Sequence, residues 1–103
     1  MFELGIVKRN ITRADRAASD ELARLGSATV HEAMGRVGLL ATYMRPIYAG
    51  ARVSGTAVTV LTEPDDNLMI HAAVEQCGPG DVLVVAVERP SSYGLLGELL
   101  ATA

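Results

Sequence analysis

Hydrophobic and polar positions follow several distinct rhythms along this chain. Ala14, Ala17, Ala18, Leu22 and Leu25 recur at helical spacing after Thr12-Arg13-Ala14-Asp15, which has the form of a capping box with Asp in place of Glu. Gly26 supplies the stop. A second capping box, Thr29-Val30-His31-Glu32, predicts a short helix ending at Gly35 and Gly38, and a loop follows. From Ala51 the rhythm shortens to β-branched alternation: Val53, Thr56, Val58, Thr59, Val60 and Thr62 around Ser54-Gly55 predict strand, bend or bulge, strand. Asp65-Asp66-Asn67 offer N-cap side chains after Pro64, and Leu68 through Cys77 read as a helix with Ile70, Ala73, Val74 and Cys77 on one face. Gly78-Pro79-Gly80-Asp81 breaks that helix. Residues 82–87 are apolar at every position, the pattern of a strand covered on both faces at the centre of a sheet.

Helix, strands, helix and buried strand define an α/β layer architecture. A helix joins the Thr56 strand to the Val82 strand, so part of the sheet is expected to be parallel. A polar loop, residues 88–94, follows the last strand, and a helix is expected to begin within residues 95–103. Ligands in open α/β sheets bind outside the carboxyl ends of the strands, which makes residues 88–100 the richest place to look for function.

Composition narrows the class. The chain has 103 residues, within the size range of one domain, and no repeat, low-complexity tract or linker divides it. Its single cysteine, Cys77, allows neither an intramolecular disulfide nor a cysteine-based zinc cluster, which suits a reducing compartment. The net charge of −3 and the scattered basic residues argue against nucleic acid as a partner. No apolar run approaches the roughly 20 residues that span a bilayer. At the N-terminus the basic residues follow the apolar ones, the reverse of a secretory signal, and the cytoplasm is the expected location.

Gly97-Glu98-Leu99-Leu100 is the first candidate for chemistry. Glycine lets the backbone approach a ligand, and the amides that follow, not yet bonded within a helix, suit a carboxylate or phosphate. Glu98 could instead hold a cation or its water. On spacing alone, a glycine-led helix start with Glu98 in solvent explains the same residues and is the favoured reading. His31 and His71 lack metal-ligand spacing and read as partly buried, hydrogen-bonded helix residues. Cys77 reads as a packing residue, and Asp65, Asp66 and Asn67 as a helix cap rather than cation ligands. Arg36 and Arg45 flank residues 38–50, where a guanidinium could clamp an acidic substrate, although solvation at the surface is the favoured account. Gly35, Gly38 and Gly50 do not form a dinucleotide-binding turn, since no strand leads into them.

Several stretches together resemble one family. Ala28-Thr29-Val30-His31-Glu32-Ala33-Met34-Gly35-Arg36-Val37-Gly38-Leu39-Leu40, Tyr43-Met44-Arg45-Pro46-Ile47-Tyr48 and residues 50–59 are similar to the N-terminal half of the 4-hydroxy-4-methyl-2-oxoglutarate / 4-carboxy-4-hydroxy-2-oxoadipate aldolases. The wider family also contains the regulator of ribonuclease E activity. Val74-Glu75-Gln76, residues 78–85 and Gly97-Glu98-Leu99-Leu100-Ala101-Thr102 continue the similarity over almost the whole chain, and the run from Ala28 to Tyr48 favours the aldolase branch.

The resemblance implies a layered α-β-β-α swivelling-type sandwich with a mixed sheet, of which residues 1–103 are the N-terminal portion of a single domain. It implies a class II pyruvate aldolase that depends on Mg²⁺ or Mn²⁺, with oxaloacetate decarboxylation as a side activity. Both reactions would pass through a pyruvate enolate, and no Schiff-base lysine would be needed; the only lysine, Lys8, is poorly positioned for one. Gly97, Glu98, Leu99 and Leu100 would bind substrate, with the Leu99 and Leu100 amides on the pyruvate carboxylate. Glu98 would hold metal-bound water and relay a proton. The family's Arg-Asp pair, which clamps substrate and ligates the metal directly, is expected beyond Ala103, so this portion alone is expected to bind metal poorly and turn over little substrate. The partners implied are a small 2-oxo acid and further copies of the chain in a homotrimer or homohexamer. The alternatives are a non-catalytic binding protein on the same scaffold, or an inactive fragment.

Overall fold

The computed structural model describes residues 6–63 and 68–87 and divides the chain into two compact units. Among the described residues, one unit holds residues 6–13, 56–63 and 68–87; the other runs from Ala14 to Gly55.

The first unit is a β-α-β crossover. Strand β1 (Thr56–Thr62) turns Val58, Val60 and Thr62 inward and Ala57, Thr59 and Leu61 outward, as the two-residue period of a pleated strand requires. Helix α3 (Leu68–Gln76) lays Ile70 and Ala73 on the inward face of β1, forming a core of Val58, Val60, Ile70 and Ala73. Ile11, Met69, Val74, Cys77 and Leu83 pack around it. Each large aliphatic side chain removed from water there contributes roughly 1.5–3 kcal/mol. Strand β2 (Asp81–Val87) runs parallel to β1 in a register that pairs Thr56 with Asp81 and Thr62 with Val87. The mixed α/β class, the parallel pairing and the inward face of the third helix therefore match the expectation, with Val74 and Cys77 at the rim of the core.

One expectation about β2 fails. Val84 and Val85 point to opposite faces yet are 38% and 37% exposed, so the strand is not covered on both sides. Among the described residues the sheet has two strands, which makes β2 an edge rather than a centre. An all-apolar strand needs a layer on each face, and α3 packs mainly on β1.

The second unit contains α1 (Arg16–Leu25), α2 (Ser27–Ala33) and a long irregular segment. Neither expected capping box forms. Asp15 itself caps α1, its Oδ2 accepting from the Ala18 amide at 3.3 Å, and Thr29 lies inside α2. Gly26 serves both helices: its N–H donates to the Leu22 carbonyl at 3.0 Å, and its carbonyl accepts from the Val30 amide at 3.1 Å. The backbone there, φ 89° and ψ 157°, lies in a region open essentially to glycine alone, which is how one residue ends a helix and starts the next. The expected stop at Gly35 is real. The Gly35 amide donates to Glu32 O at 3.1 Å and the Arg36 amide to His31 O at 2.9 Å, a Schellman closure with Gly35 at φ 76°.

No strand forms around Val53 before the Gly55 bend; β1 begins at Thr56. This unit contributes no buried apolar side chain to the core of the described residues. Tyr43 and Ile47 are 82% and 95% exposed, and Leu22 and Leu25, which recur at helical spacing on α1, are exposed too.

Candidate functional site

Parallel strands end on the same side. The Thr62–Val87 pairing brings the carboxyl ends of β1 and β2 together at one edge of the sheet, where an α/β sheet presents its ligand-binding loops. Thr62 is fully buried at that edge and Glu63, half-buried, follows it. The residues expected to bind substrate and metal, Gly97, Glu98, Leu99 and Leu100, belong to the segment after β2 and lie outside the described residues, as do Asp65, Asp66 and Asn67. Among the described residues, no group of three His, Cys, Asp or Glu side chains is arranged to hold a metal ion.

The opposite edge of the sheet, where β2 starts, is held by an ion pair that sequence reasoning missed. The Arg13 guanidinium donates through Nε to both oxygens of Asp81 at 3.1 and 3.0 Å, and through Nη2 to Asp81 Oδ2 at 2.8 Å and the Gln76 carbonyl at 2.7 Å. Gly78 N–H adds a third donor to the carboxylate, at 2.8 Å on Oδ2. One arginine thus ties the N-terminal segment to the end of α3, the Gly78-Pro79-Gly80 turn and the first residue of β2. The Asp81 side chain is only 3% exposed. Hydrogen bonds from Arg13, and then from Gly78, hold its carboxyl below the usual range, and the bond to Asp81 raises the Arg13 guanidinium above its own. In sequence these residues lie 68 positions apart, and Asp81 reads as an ordinary turn residue.

The other candidates separate. Cys77 packs against the core, and burial, with the Asp81 charge beside it, pushes its thiol up, which agrees with a packing role. His31 is half-buried on α2, whereas His71 is exposed on α3, contrary to the expectation that both are partly buried. Arg36 is bound to its own helix through two hydrogen bonds to Glu32, at 3.0 and 3.1 Å. Arg45 shares a cleft with Arg52 instead. Arg36 and Arg45 are both exposed, as the favoured account of solvation at the surface expects.

Each unit builds a cleft from its described residues. In the first unit the N-terminal segment, β1 and α3 enclose about 510 Å³, with Ile6, Ile11, Leu61 and Met69 on the walls and Lys8 as the only charged lining residue. The cleft of the second unit, about 980 Å³, is lined by Arg45 and Arg52 with no acidic residue.

A family model described as RraA-like, Aldolase/RraA, matches residues 27–103. The chain belongs to the RraA-like family. The match takes in α2, β1, α3, β2 and the Gly97-Glu98-Leu99-Leu100 sequence, while α1 lies before it. RraA-like proteins include both aldolases and regulators without catalytic activity. No helix among the described residues of this RraA-like chain is long and apolar enough to cross a membrane.

Proposed function

We propose that this RraA-like chain contributes to a divalent-metal-dependent pyruvate aldolase, a lyase cleaving 4-carboxy-4-hydroxy-2-oxoadipate or 4-hydroxy-4-methyl-2-oxoglutarate to pyruvate and a second 2-oxo acid. Oxaloacetate decarboxylation is its side activity. The observation that carries the reading is the Gly97-Glu98-Leu99-Leu100 sequence, which follows β2 within the family-matched segment. A parallel pair whose strands end together supports it, because loops leaving that edge are where such folds bind anions.

In this reading the Leu99 and Leu100 amides receive the pyruvate carboxylate. Glu98 orients a water and takes the proton leaving the substrate hydroxyl, the task of a positioned carboxylate acting as general base. Mg²⁺ or Mn²⁺, when bound, would supply Lewis-acid stabilisation of the negative charge that develops on the enolate. Among the described residues no group of three His, Cys, Asp or Glu is arranged to hold such an ion, and this reading gives its contact with the chain to Glu98, through water. The same reading takes the protein as cytoplasmic, a homotrimer or homohexamer, and acting on a small 2-oxo acid rather than on nucleic acid or a membrane.

The test is pyruvate release from oxaloacetate and from a 4-hydroxy-2-oxo acid, with Mg²⁺ and with EDTA. Metal-dependent release that falls by about 10²-fold or more in Glu98→Ala supports the reading. Release that EDTA or Glu98→Ala leaves untouched overturns it. A second reading, a non-catalytic regulator on the same scaffold, is favoured by the exposed apolar surface at residues 37–53, of the kind that marks interaction sites. It predicts no pyruvate release under any metal condition.

A further inference from the structure

From Ala33 to Thr62 the sequence holds no Asp or Glu but three arginines, in a chain whose net charge is −3. Within the second unit, Arg16, Arg24 and Arg36 each hold a carboxylate: Asp20, Glu21 and Glu32. Among the described residues Arg45 and Arg52 hold none, and they line one cleft. Arg52 is oriented there by its Nη2, which donates to the Ala23 carbonyl at 2.9 Å. That carbonyl lies in the last turn of α1, where helix carbonyls lack intrahelical partners, so one edge of the guanidinium is anchored and the rest remains available. Turns closed by Met44 N–H on Ala41 O at 2.9 Å and Ala51 N–H on Tyr48 O at 3.4 Å shape the segment that carries Arg45. Ser27, Tyr48 and Ser54 add hydroxyls to the walls, and Leu22, Leu40 and Met44 add apolar surface.

We propose that this cleft is a binding site for an aliphatic dicarboxylate. Two guanidiniums without acidic partners match two carboxylates, which arginine's planar fork binds bidentately. The apolar walls match a methylene body. At about 980 Å³ the cleft falls in the range that takes small molecules. The site is made of residues 22–54 alone and does not rest on the lyase reading.

Titration of the full chain with succinate, glutarate, adipate and suberate, followed by amide chemical shifts, tests it. Hexanoate and 1,6-hexanediol serve as controls. One dicarboxylate length binds best, about tenfold or more tighter than hexanoate; hexanediol does not bind; and the shifting amides belong to residues 22–54. Arg45→Gln, at an exposed side chain in no hydrogen bond or ion pair, leaves the thermal midpoint unchanged and weakens binding about tenfold or more, the loss expected for a charge-assisted contact. Equal binding of adipate and hexanediol, shifts confined to residues outside 22–54, or unchanged affinity in Arg45→Gln overturns the proposal. Glu98→Ala leaves dicarboxylate binding intact, so failure here is distinguishable from failure of the lyase reading.

Discussion

Replacing Ile70 with alanine deletes Cγ1, Cγ2 and Cδ1 from the most buried large side chain of the core, which is 1% exposed. Its neighbours in that core are Val58 and Val60 on β1 and Ala73 one turn along α3. Val58 and Val60 are held in a strand, and Ala73 has no side-chain atoms beyond Cβ with which to fill the space. The vacated volume therefore collapses only in part, and the cost includes a cavity as well as the lost transfer of carbon from water. Burial this complete puts Ile70→Ala at about 3–4 kcal/mol, within the 2–5 range for such substitutions, and Ile70→Val at about 1. A domain of this size has roughly 5–15 kcal/mol in all, so the alanine variant loses a large share of it. Guanidinium unfolding monitored by circular dichroism reads the effect as a fall in midpoint at unchanged slope. A loss under about 1 kcal/mol for Ile70→Ala, or equal losses for the two variants, would refute the view that α3 is held to β1 through this residue.

Three further outcomes follow from local geometry. Because Arg13 and Gly78 hold the Asp81 carboxyl below its usual range, the unfolded chain binds that proton more readily; the ion pair contributes fully above the ordinary carboxylate value of about 3.9 and is lost as pH falls below it toward the folded value. The thermal midpoint should therefore drop as pH falls below about 4, and Asp81→Asn should flatten that drop while lowering the midpoint at pH 7; an unchanged acid profile in the variant contradicts the assignment. Gly26→Ala should cost about 1–3 kcal/mol in denaturant unfolding, entirely from backbone conformation, since nothing lies within 4 Å of an added Cβ. A neutral result would mean that the shared cap does not need its φ of 89°. The raised Cys77 thiol should react with a disulfide reagent at pH 7.5 more slowly than glutathione does and reach a free-thiol rate in denaturant; equal rates before and after unfolding would contradict its packing against the core.

Local signals and long-range contacts divided the work in this chain. Ile70, Ala73, Val74 and Cys77 announce the inner face of α3 because a 3.6-residue period is written into adjacent residues, and Gly35 announces the end of α2 because a left-handed turn favours glycine. The caps were harder to place. Thr12, Asp15, Gly26 and Thr29 each fit a helix start locally, and the choice among them depends on which amide each one meets. The Gly97-Glu98-Leu99-Leu100 reading draws on adjacent residues and on family resemblance, and its residues lie outside those the structure describes.

By itself the sequence determined the α/β class, the parallel crossover and the family, since each is carried by periodicity or by contiguous motifs. Tertiary structure decided what depends on residues far apart in the chain. It left Val84 and Val85 exposed because no second layer covers β2 among the described residues. It paired Arg13 with Asp81 across 68 positions and placed Arg45 and Arg52 on the lining of one cleft. A guanidinium's partner is fixed by the distance between charges in the folded chain, and no spacing along the sequence encodes that distance.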